Sequence, residues 1–223
     1  SLISCISVTG NKNFLSPIRK GMEDSDPDVR VASIWALVDY GDTRSINQGI
    51  SGLRDPVDRV RIATAKALGK HGTESTFKEL KKVLADKNEI KLVKSAVVYG
   101  LGESDDIQAL DILVDTLPEE KELSDEITDA LSKKTGKKEL LALVEHLKDA
   151  SPDLRDKLIW VFKKIGRKGR LAAAELLEED IPSLKPVINE ILEKTGAVES
   201  AIRNLSNRNP EVRCSAAEFL SKV

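Results

Sequence analysis

Residues 55–72 have the sequence DPVDRVRIATAKALGKHG, and residues 26–41 follow the same plan as DPDVRVASIWALVDYG. In both stretches an Asp-Pro pair precedes an aliphatic residue and Arg, and a glycine stands twelve positions after that aliphatic residue. Because Asp accepts N–H bonds as an N-cap and Pro tolerates the first helical turn, each stretch predicts a helix beginning at Asp-Pro. The closing glycine predicts a left-handed C-cap.

The core-facing residues of each stretch have helical spacing. After Val60, such residues recur at +3, +4, +7 and +8, which is the spacing of one buried helical face. A second amphipathic stretch follows Gly72, so each unit is predicted to be a helix–turn–helix. Its inward positions are Phe77, Leu80, Val83 and Leu84.

The same plan recurs roughly every 30 residues along the whole chain, and the recurring glycine sets its register. A period of this length is typical of stacked supersecondary units that pack only on their neighbours. We therefore predict an all-α fold, a right-handed α-solenoid of about seven helix–turn–helix repeats. The glycines are Gly10, Gly41, Gly72, Gly102, Gly136, Gly166 and Gly196.

These glycines predict the repeat boundaries of a single solenoid over residues 1–223, which we interpret as a fragment of a longer protein. The fourth repeat is irregular, because Ser124 replaces the basic residue and one extra residue precedes Gly136. Residues 1–10 are predicted to end a truncated repeat, and 197–223 to form a last one. The full repeats are 11–41, 42–72, 73–102, 103–136, 137–166 and 167–196.

The composition suits thin helical layers and argues for no particular charged partner. Charged residues make up 32% of the chain, aromatic residues only 4%, and the net charge is −2. This balance favours neither nucleic acid nor an anionic membrane. No apolar run approaches the roughly 18 residues of a membrane span. Cys5 and Cys214 stand at opposite ends of the chain, so we predict reduced thiols and a cytoplasmic protein.

The unit Asp-Pro-x-Val-Arg-x-x-Ala…Ala-Leu-Gly…Gly resembles the HEAT repeat, in the short variety first associated with phycobilisome lyases. The resemblance covers essentially the whole chain and implies an armadillo-like α-solenoid. It says little about function, because stacked helices host many unrelated roles. The matching residues are 26–32, 55–63 with 67–69, and 209–213 with Ala216.

Side chains that could carry catalysis are few. The two histidines, His71 and His146, fall in different parts of their repeats. The deoxyhypusine hydroxylases are HEAT-type enzymes that hold two irons with His-Glu pairs, and this sequence has no His-Glu dipeptide. Cys5 and Cys214 have no neighbouring His, and no phosphate loop is present. We predict no catalytic residue, metal or cofactor, although one imidazole with scattered carboxylates leaves metal ligation open.

Arginines recur near the helix starts, each with an acidic residue two or three positions before it. Stacking would bring such residues of neighbouring repeats together, so we predict a ladder of charge pairs that links the repeats. The arginines are Arg30, Arg61, Arg155 and Arg213, beside Asp28, Asp58, Asp153 and Glu211.

A second set of positions predicts a partner-binding groove. In HEAT-like stacks the second helix of each repeat lines the concave surface, and its +2, +6 and +9 positions point away from the packed face. These positions are largely apolar in the first three repeats and acidic afterwards, which predicts capture of a protein or peptide with a basic segment. Whether Trp35 faces the groove or packs on a neighbour is left open. The predicted residues are Val31, Trp35, Val38, Ile62, Lys66, Leu92, Ala96, Tyr99, Asp125, Asp129, Asp156 and Trp160.

Basic residues gather around the later glycine junctions. The helix macrodipole favours cations at helix C-termini, but these residues are more numerous than capping needs. They form a candidate anion-binding edge for phosphates or an acidic partner. The residues are Lys133, Lys134, Lys137, Lys138, Lys163, Lys164, Arg167, Lys168 and Arg170.

Three hypotheses follow for function. The leading one is a non-enzymatic scaffold that binds a protein or peptide in its groove. The second, a bilin chromophore lyase-like subunit, rests only on the resemblance to phycobilisome lyases. The third is phosphate or nucleic-acid binding along the basic edge, which is less favoured because the stacking aromatics of single-strand binders are missing.

Overall fold

The computed structural model describes residues 15–41, 43–177 and 181–223, and the regular structure in these ranges is helical throughout. The fold is an all-α solenoid, as the sequence predicts. Short 3-10 segments cover Gly49–Arg54 and Lys121–Leu123. The α-helices are α1 Leu15–Gly21, α2 Pro27–Tyr40, α3 Thr43–Gln48, α4 Asp58–His71, α5 Glu74–Ala85, α6 Lys91–Glu103, α7 Ile107–Thr116, α8 Ser124–Ser132, α9 Lys137–Lys148, α10 Pro152–Ile165, α11 Arg167–Leu177, α12 Lys185–Lys194, α13 Ala197–Asn204 and α14 Pro210–Lys222.

The chain divides into two compact units, Ser1–Ala130 and Leu131–Val223. The division falls within α8, in the repeat that the sequence marks as irregular. This helix has 9 residues and follows directly on the 3-10 segment Lys121–Leu123. Its apolar face is nonetheless buried as predicted, at Leu123, Ile127, Ala130 and Leu131.

In the first unit the second helices of the repeats, α2, α4 and α6, pack side by side. The approach of α4 to α6 is closest where Gly69 meets Gly100. A Cβ on Gly69 would lie 2.8 Å from backbone atoms of Gly100, and one on Gly100 would lie 2.7 Å from the carbonyl oxygen of Lys66. The two backbones therefore touch, which only glycine permits.

The recurring glycines serve two different structural purposes. Three of them have the positive φ that favours glycine, 84° at Gly41, 69° at Gly166 and 76° at Gly196, and of these Gly41 and Gly196 have the left-handed helical backbone. Gly72 is different, and the left-handed cap predicted there is wrong, because its φ is −65° and its ψ is 166°. A Cβ at Gly72 would lie 2.4 Å from the carbonyl oxygen of Leu68, so close packing calls for glycine here.

The Asp-Pro helix starts are also of two kinds. Asp26 caps α2 as predicted, and its carboxylate accepts the N–H of Asp28 at 2.8 Å. At the second pair, however, α4 begins only at Asp58. Asp55 instead accepts the N–H of Val57 at 2.9 Å and binds Arg30. The predicted start is therefore wrong by a few residues, because the Asp55 carboxylate binds the preceding repeat.

Bridging arginines link each of the first two full repeats to the next. Arg30 donates from Nε and Nη2 to the two carboxylate oxygens of Asp55 at 2.7 and 2.9 Å, and from Nη1 to the carbonyl oxygen of Asp24 at 2.8 Å. Arg61 donates in the same way to Glu89, at 3.1 and 3.0 Å, and to the carbonyl oxygen of Asp55 at 2.8 Å. Each guanidinium thus joins the turn of its own repeat to an acid of the next.

The second unit has the same device. Arg155 pairs with Glu190 and donates to the carbonyl oxygen of Leu147 at 2.8 Å. Arg213 donates to the carbonyl oxygens of Asn207 and Arg208, at 2.8 and 3.1 Å. The predicted ladder is confirmed at Arg30, Arg61 and Arg155, but its acids belong to the following repeat. Of the neighbouring acids named from sequence, Asp58 pairs with Arg61 within one repeat, and Asp28 pairs with Arg59.

The third repeat uses a buried lysine for the same purpose. Lys94 is only 8% exposed, and its Nζ lies 3.0 Å from Oε1 of Glu120 in the next repeat. Lys94 occupies the +4 position of its helix, where the preceding repeat has the buried Thr64. The charge is thus buried on the packed face and compensated by one carboxylate.

The Arg30–Asp55 pair predicts a pH dependence of stability. The hydrogen bond from Arg30 holds the pKa of Asp55 below its ordinary value of 3.8, although burial opposes the shift. A carboxyl with a lowered folded-state pKa stabilises the fold above its unfolded pKa and loses that contribution as the pH falls through the folded value. We expect Asp55→Asn to cost about 1.5 kcal/mol at pH 7 and progressively less below about pH 4.

Urea unfolding of wild type and Asp55→Asn between pH 7 and pH 3 measures this difference. Asp28→Asn is the matched control. The Asp28 side chain is 72% exposed, and the side chain of its partner Arg59 is 53% exposed, so this surface pair should contribute little to stability. A gap between wild type and Asp55→Asn that stays constant over this range would contradict the expected linkage.

Candidate protein-binding surface

The first unit carries an apolar strip, which we define as Val31, Trp35, Ile62, Leu92 and Tyr99. Leu92 and Tyr99 are 67% and 52% exposed on α6, and the other three residues are half-buried on α2 and α4. Leu92 and Tyr99 are seven positions apart, so they lie on one helical face two turns from each other. The strip thus crosses three neighbouring helices.

Two residues predicted for the groove, Val38 and Ala96, do not reach the surface. Val38 is 1% exposed because it packs against the 3-10 segment, where a Cβ on Gly49 would lie 3.5 Å from Cγ2 of Val38. Ala96 is 3% exposed, since its methyl group is covered where α6 approaches α4. The helices are buried over a wider face than the 0/+3/+4/+7/+8 spacing implies, and both residues are removed from the candidate surface.

Lys66 forms part of the strip's framework. Its Nζ lies 5.3 Å from the centroid of the Tyr99 ring, within range of a cation–π interaction. This contact joins α4 to α6 beside the Gly69–Gly100 approach. It restrains the exposed Tyr99 ring on the side of α4.

Two acidic residues predicted for the groove lie on α8. Asp125 and Asp129 are both exposed there. Between them Glu126 accepts an ion pair from Lys91 of α6, at 3.5 Å. The helix α8 therefore lies next to the helix that carries Leu92 and Tyr99.

Two further residues predicted for the groove belong to the second unit. Trp160 is 52% exposed on α10, and Asp156 stands one turn before it. The Asp156 carboxylate lies 3.6 Å from Nζ of Lys194, which also pairs with Glu190. Burial alone would raise the pKa of Glu190, but its hydrogen bonds from Lys194 and Arg155 outweigh burial and hold it below its ordinary value.

The predicted anion-binding edge is mostly solvent-exposed. Lys134 is the exception at 7% exposure, and it stands in the turn after α8, where its N–H donates to the carbonyl oxygen of Leu131 at 3.0 Å. Arg170 is half-buried. The exposed members are Lys133, Lys137, Lys138, Lys163, Lys164, Arg167 and Lys168.

Groups suited to chemistry are scattered. In residues 15–41, 43–177 and 181–223, no group of three or more His, Cys, Asp and Glu side chains could hold a metal ion. His71 is exposed at the end of α4, and His146 is half-buried on α9. Cys214 is an exposed free cysteine, whereas Cys5, Gly10 and the predicted tail 1–10 lie outside the described residues. Within the described part of the chain, no helix has both the length and the apolar character to cross a membrane.

Helix pairs joined from repeat to repeat by bridging side chains define a helical-repeat scaffold. Family models described as HEAT repeats match residues 14–43 and 46–132. The chain belongs to the HEAT-repeat family. The narrower resemblance to the short repeats of phycobilisome lyases is a prediction that these matches do not test.

Two solved structures are similar to this chain at low sequence identity. Human deoxyhypusine hydroxylase in complex with glycerol is 18% identical, with 98% of this chain and 86% of that one covered and a TM-score of 0.47. An engineered protein is 14% identical, with 93% and 95% covered and a TM-score of 0.40. No curated protein sequence matches this chain well enough to count as a relative. Similarity at this level carries no argument about activity.

Proposed function

We propose that the first unit of this scaffold binds a protein or peptide segment on its apolar strip. The exposure of Leu92 and Tyr99, 67% and 52%, is the observation that carries the proposal. Large apolar side chains grouped on a surface mark interaction sites, and aromatic residues are enriched among those that dominate binding energy. Val31, Trp35 and Ile62 extend the contact area across α2 and α4.

The border of the strip favours a partner segment with basic residues. Asp125 and Asp129 project exposed carboxylates from α8, next to the helix that bears Leu92 and Tyr99. Charges at the rim of an interface act mainly on the association rate and its salt dependence. Apolar anchoring on the strip and charge selection at α8 therefore have separate experimental signatures.

The proposal predicts that Leu92→Ala/Tyr99→Ala weakens binding by roughly 30-fold, the order expected when two central anchors are truncated. Both side chains are more than half exposed, so their removal leaves the packed core intact. Trp35→Ala is a less clean probe because Trp35 is half-buried. Peptides selected on the full chain from a random display library supply the ligand, and calorimetry measures the dissociation constants.

Ile107→Ala is the matched control, since Ile107 is 40% exposed on α7 and lies outside the strip. Its affinity for the selected peptides should equal that of wild type. Asp125→Asn/Asp129→Asn should weaken binding several-fold at low salt and much less at high salt. Equal affinity of wild type and Leu92→Ala/Tyr99→Ala for every selected peptide would show the proposal to be wrong.

A further inference from the structure

The second unit contains an open cleft of about 710 Å³ between α11 and the last helix pair, α13 and α14. At α3–α5, α5–α7 and α9–α11 the first helices of neighbouring repeats pack on each other. Here the last pair packs on itself and on α12, and Asn189 of α12 donates to the carbonyl oxygen of Val223 at 2.7 Å. The cleft lies between this last helix pair and α11.

The apolar part of the cleft lining is built from small side chains and a few larger ones. Leu171 of α11 is 53% exposed, and Val212 and Phe219 of α14 are half-buried. Ala174 and Ala201 are among the remaining lining residues. Small side chains along the helices leave room for the side chains of another segment, while Leu171 and Phe219 offer the larger contact surfaces.

One wall of the cleft is basic. Arg167 and Arg170 line it from the first turn of α11. Cations are disfavoured at a helix N-terminus by the macrodipole, so helix stability does not account for them. Glu211, in the first turn of α14, is the acid among the lining residues. The arginine wall therefore complements an acidic group brought in by a ligand.

We propose that this cleft binds an amphipathic helix whose apolar face carries carboxylates at its edge. Such a helix presents apolar residues at i, i+3 and i+4 and an acid one turn away, which suits Leu171 and Phe219 beside Arg167 and Arg170. A nucleic acid fits less well, because its evenly spaced phosphates leave an aliphatic surface such as that of Leu171 without a counterpart. This site lies in the second unit and is independent of the apolar strip.

Selection of helical peptides from an acidic amphipathic library on the full chain provides the ligand, and fluorescence anisotropy measures its affinity. We expect Leu171→Ala and Arg167→Ala/Arg170→Ala each to weaken binding at least tenfold. Ile202→Ala is the matched control, because Ile202 is 55% exposed on α13 against 53% for Leu171, and it does not line the cleft. Leu92→Ala/Tyr99→Ala should also bind normally, so this proposal and the proposed function can fail separately.

Three results would overturn the proposal. One is the absence of any enriched peptide; another is a selected peptide with unchanged affinity for both cleft variants. The third is binding of a single-stranded oligonucleotide that depends on Arg167 and Arg170 but not on Leu171, which would identify a nucleic-acid surface instead. Circular dichroism melts confirm that each variant is folded, as expected for substitutions of exposed or half-buried side chains.

Discussion

Replacing Gly100 with valine is expected to lower the free energy of unfolding by about 3 kcal/mol, the upper part of the range for overpacking. A Cβ at this position lies 2.7 Å from the carbonyl oxygen of Lys66, and that oxygen belongs to the backbone of α4 and cannot rotate away. The helices must separate, which loosens the Gly69 contact and the Lys66–Tyr99 interaction. Urea unfolding followed by circular dichroism measures the loss.

The variant Gly100→Ala shows whether the steric cost of a Cβ at this position exceeds the gain in helix propensity. In an unpacked helix interior, alanine is more favourable than glycine by about 1 kcal/mol. Here we expect a net loss of stability, because the steric cost exceeds that gain. Gly136→Ala is the control: its φ is −71°, and the atom nearest to the added Cβ is the mobile carboxylate of Glu139. It should change stability by less than about 1 kcal/mol. A stabilising Gly100→Ala would contradict the close α4–α6 contact.

The second large effect concerns the buried pair between Lys94 and Glu120. Glu120→Gln removes the carboxylate that compensates an ammonium with a side chain only 9% exposed. Loss of one partner of a buried pair costs about 3–5 kcal/mol, and we expect about 2 kcal/mol here because Glu120 is 25% exposed and water reaches it. Urea unfolding at pH 7 measures the change.

The double variant Lys94→Met/Glu120→Gln tests the cause of this loss. An apolar side chain of similar length suits the packed face that Lys94 occupies, so the double variant should recover most of the stability lost in Glu120→Gln. If Lys94→Met fails to rescue Glu120→Gln, the cost does not come from an uncompensated buried charge. Glu119→Gln is a suitable control, since Glu119 is the exposed neighbour in the same turn.

The repeat architecture could be predicted from sequence because its signals are local and recur in register. The helical spacing after Val60 and the recurring glycine are both patterns within short segments. Because seven glycines share one register, they indicate the repeat boundaries clearly. The bridging arginines were also predictable, because their spacing follows that of the helices. Their acid partners were not, since the partner of Arg30 is Asp55 in the next repeat and depends on how the repeats stack.

What the sequence could not supply are the contacts between helices. Gly41 and Gly72 occupy the same register, yet one needs a left-handed backbone and the other close packing against Leu68. Val38 and Ala96 carry the predicted spacing but are buried by neighbouring segments, and no pattern within a single helix reports this.

Lys94 and the cleft were missed for a similar reason. The lysine at the +4 position is noticeable in the sequence, because it places a charge on an otherwise uncharged helical face. Its burial is explained only by the pairing of Lys94 with Glu120. The cleft depends on how the last helix pair packs relative to α11. Leu171, the most exposed apolar residue of the cleft, lies on the first helix of its repeat. The groove positions predicted from sequence all lie on second helices.

Nuclear magnetic resonance on the full chain tests most directly whether the apolar strip of the first unit is a binding surface. A peptide selected on the full chain is titrated into isotope-labelled protein, and shift changes are mapped onto the residues. We predict that the largest changes occur at Leu92, Tyr99 and their neighbours on α4 and α6, with the acid-bearing helix α8 also affected. Changes confined to residues 131–223, with Leu92 and Tyr99 unperturbed, would contradict the claim.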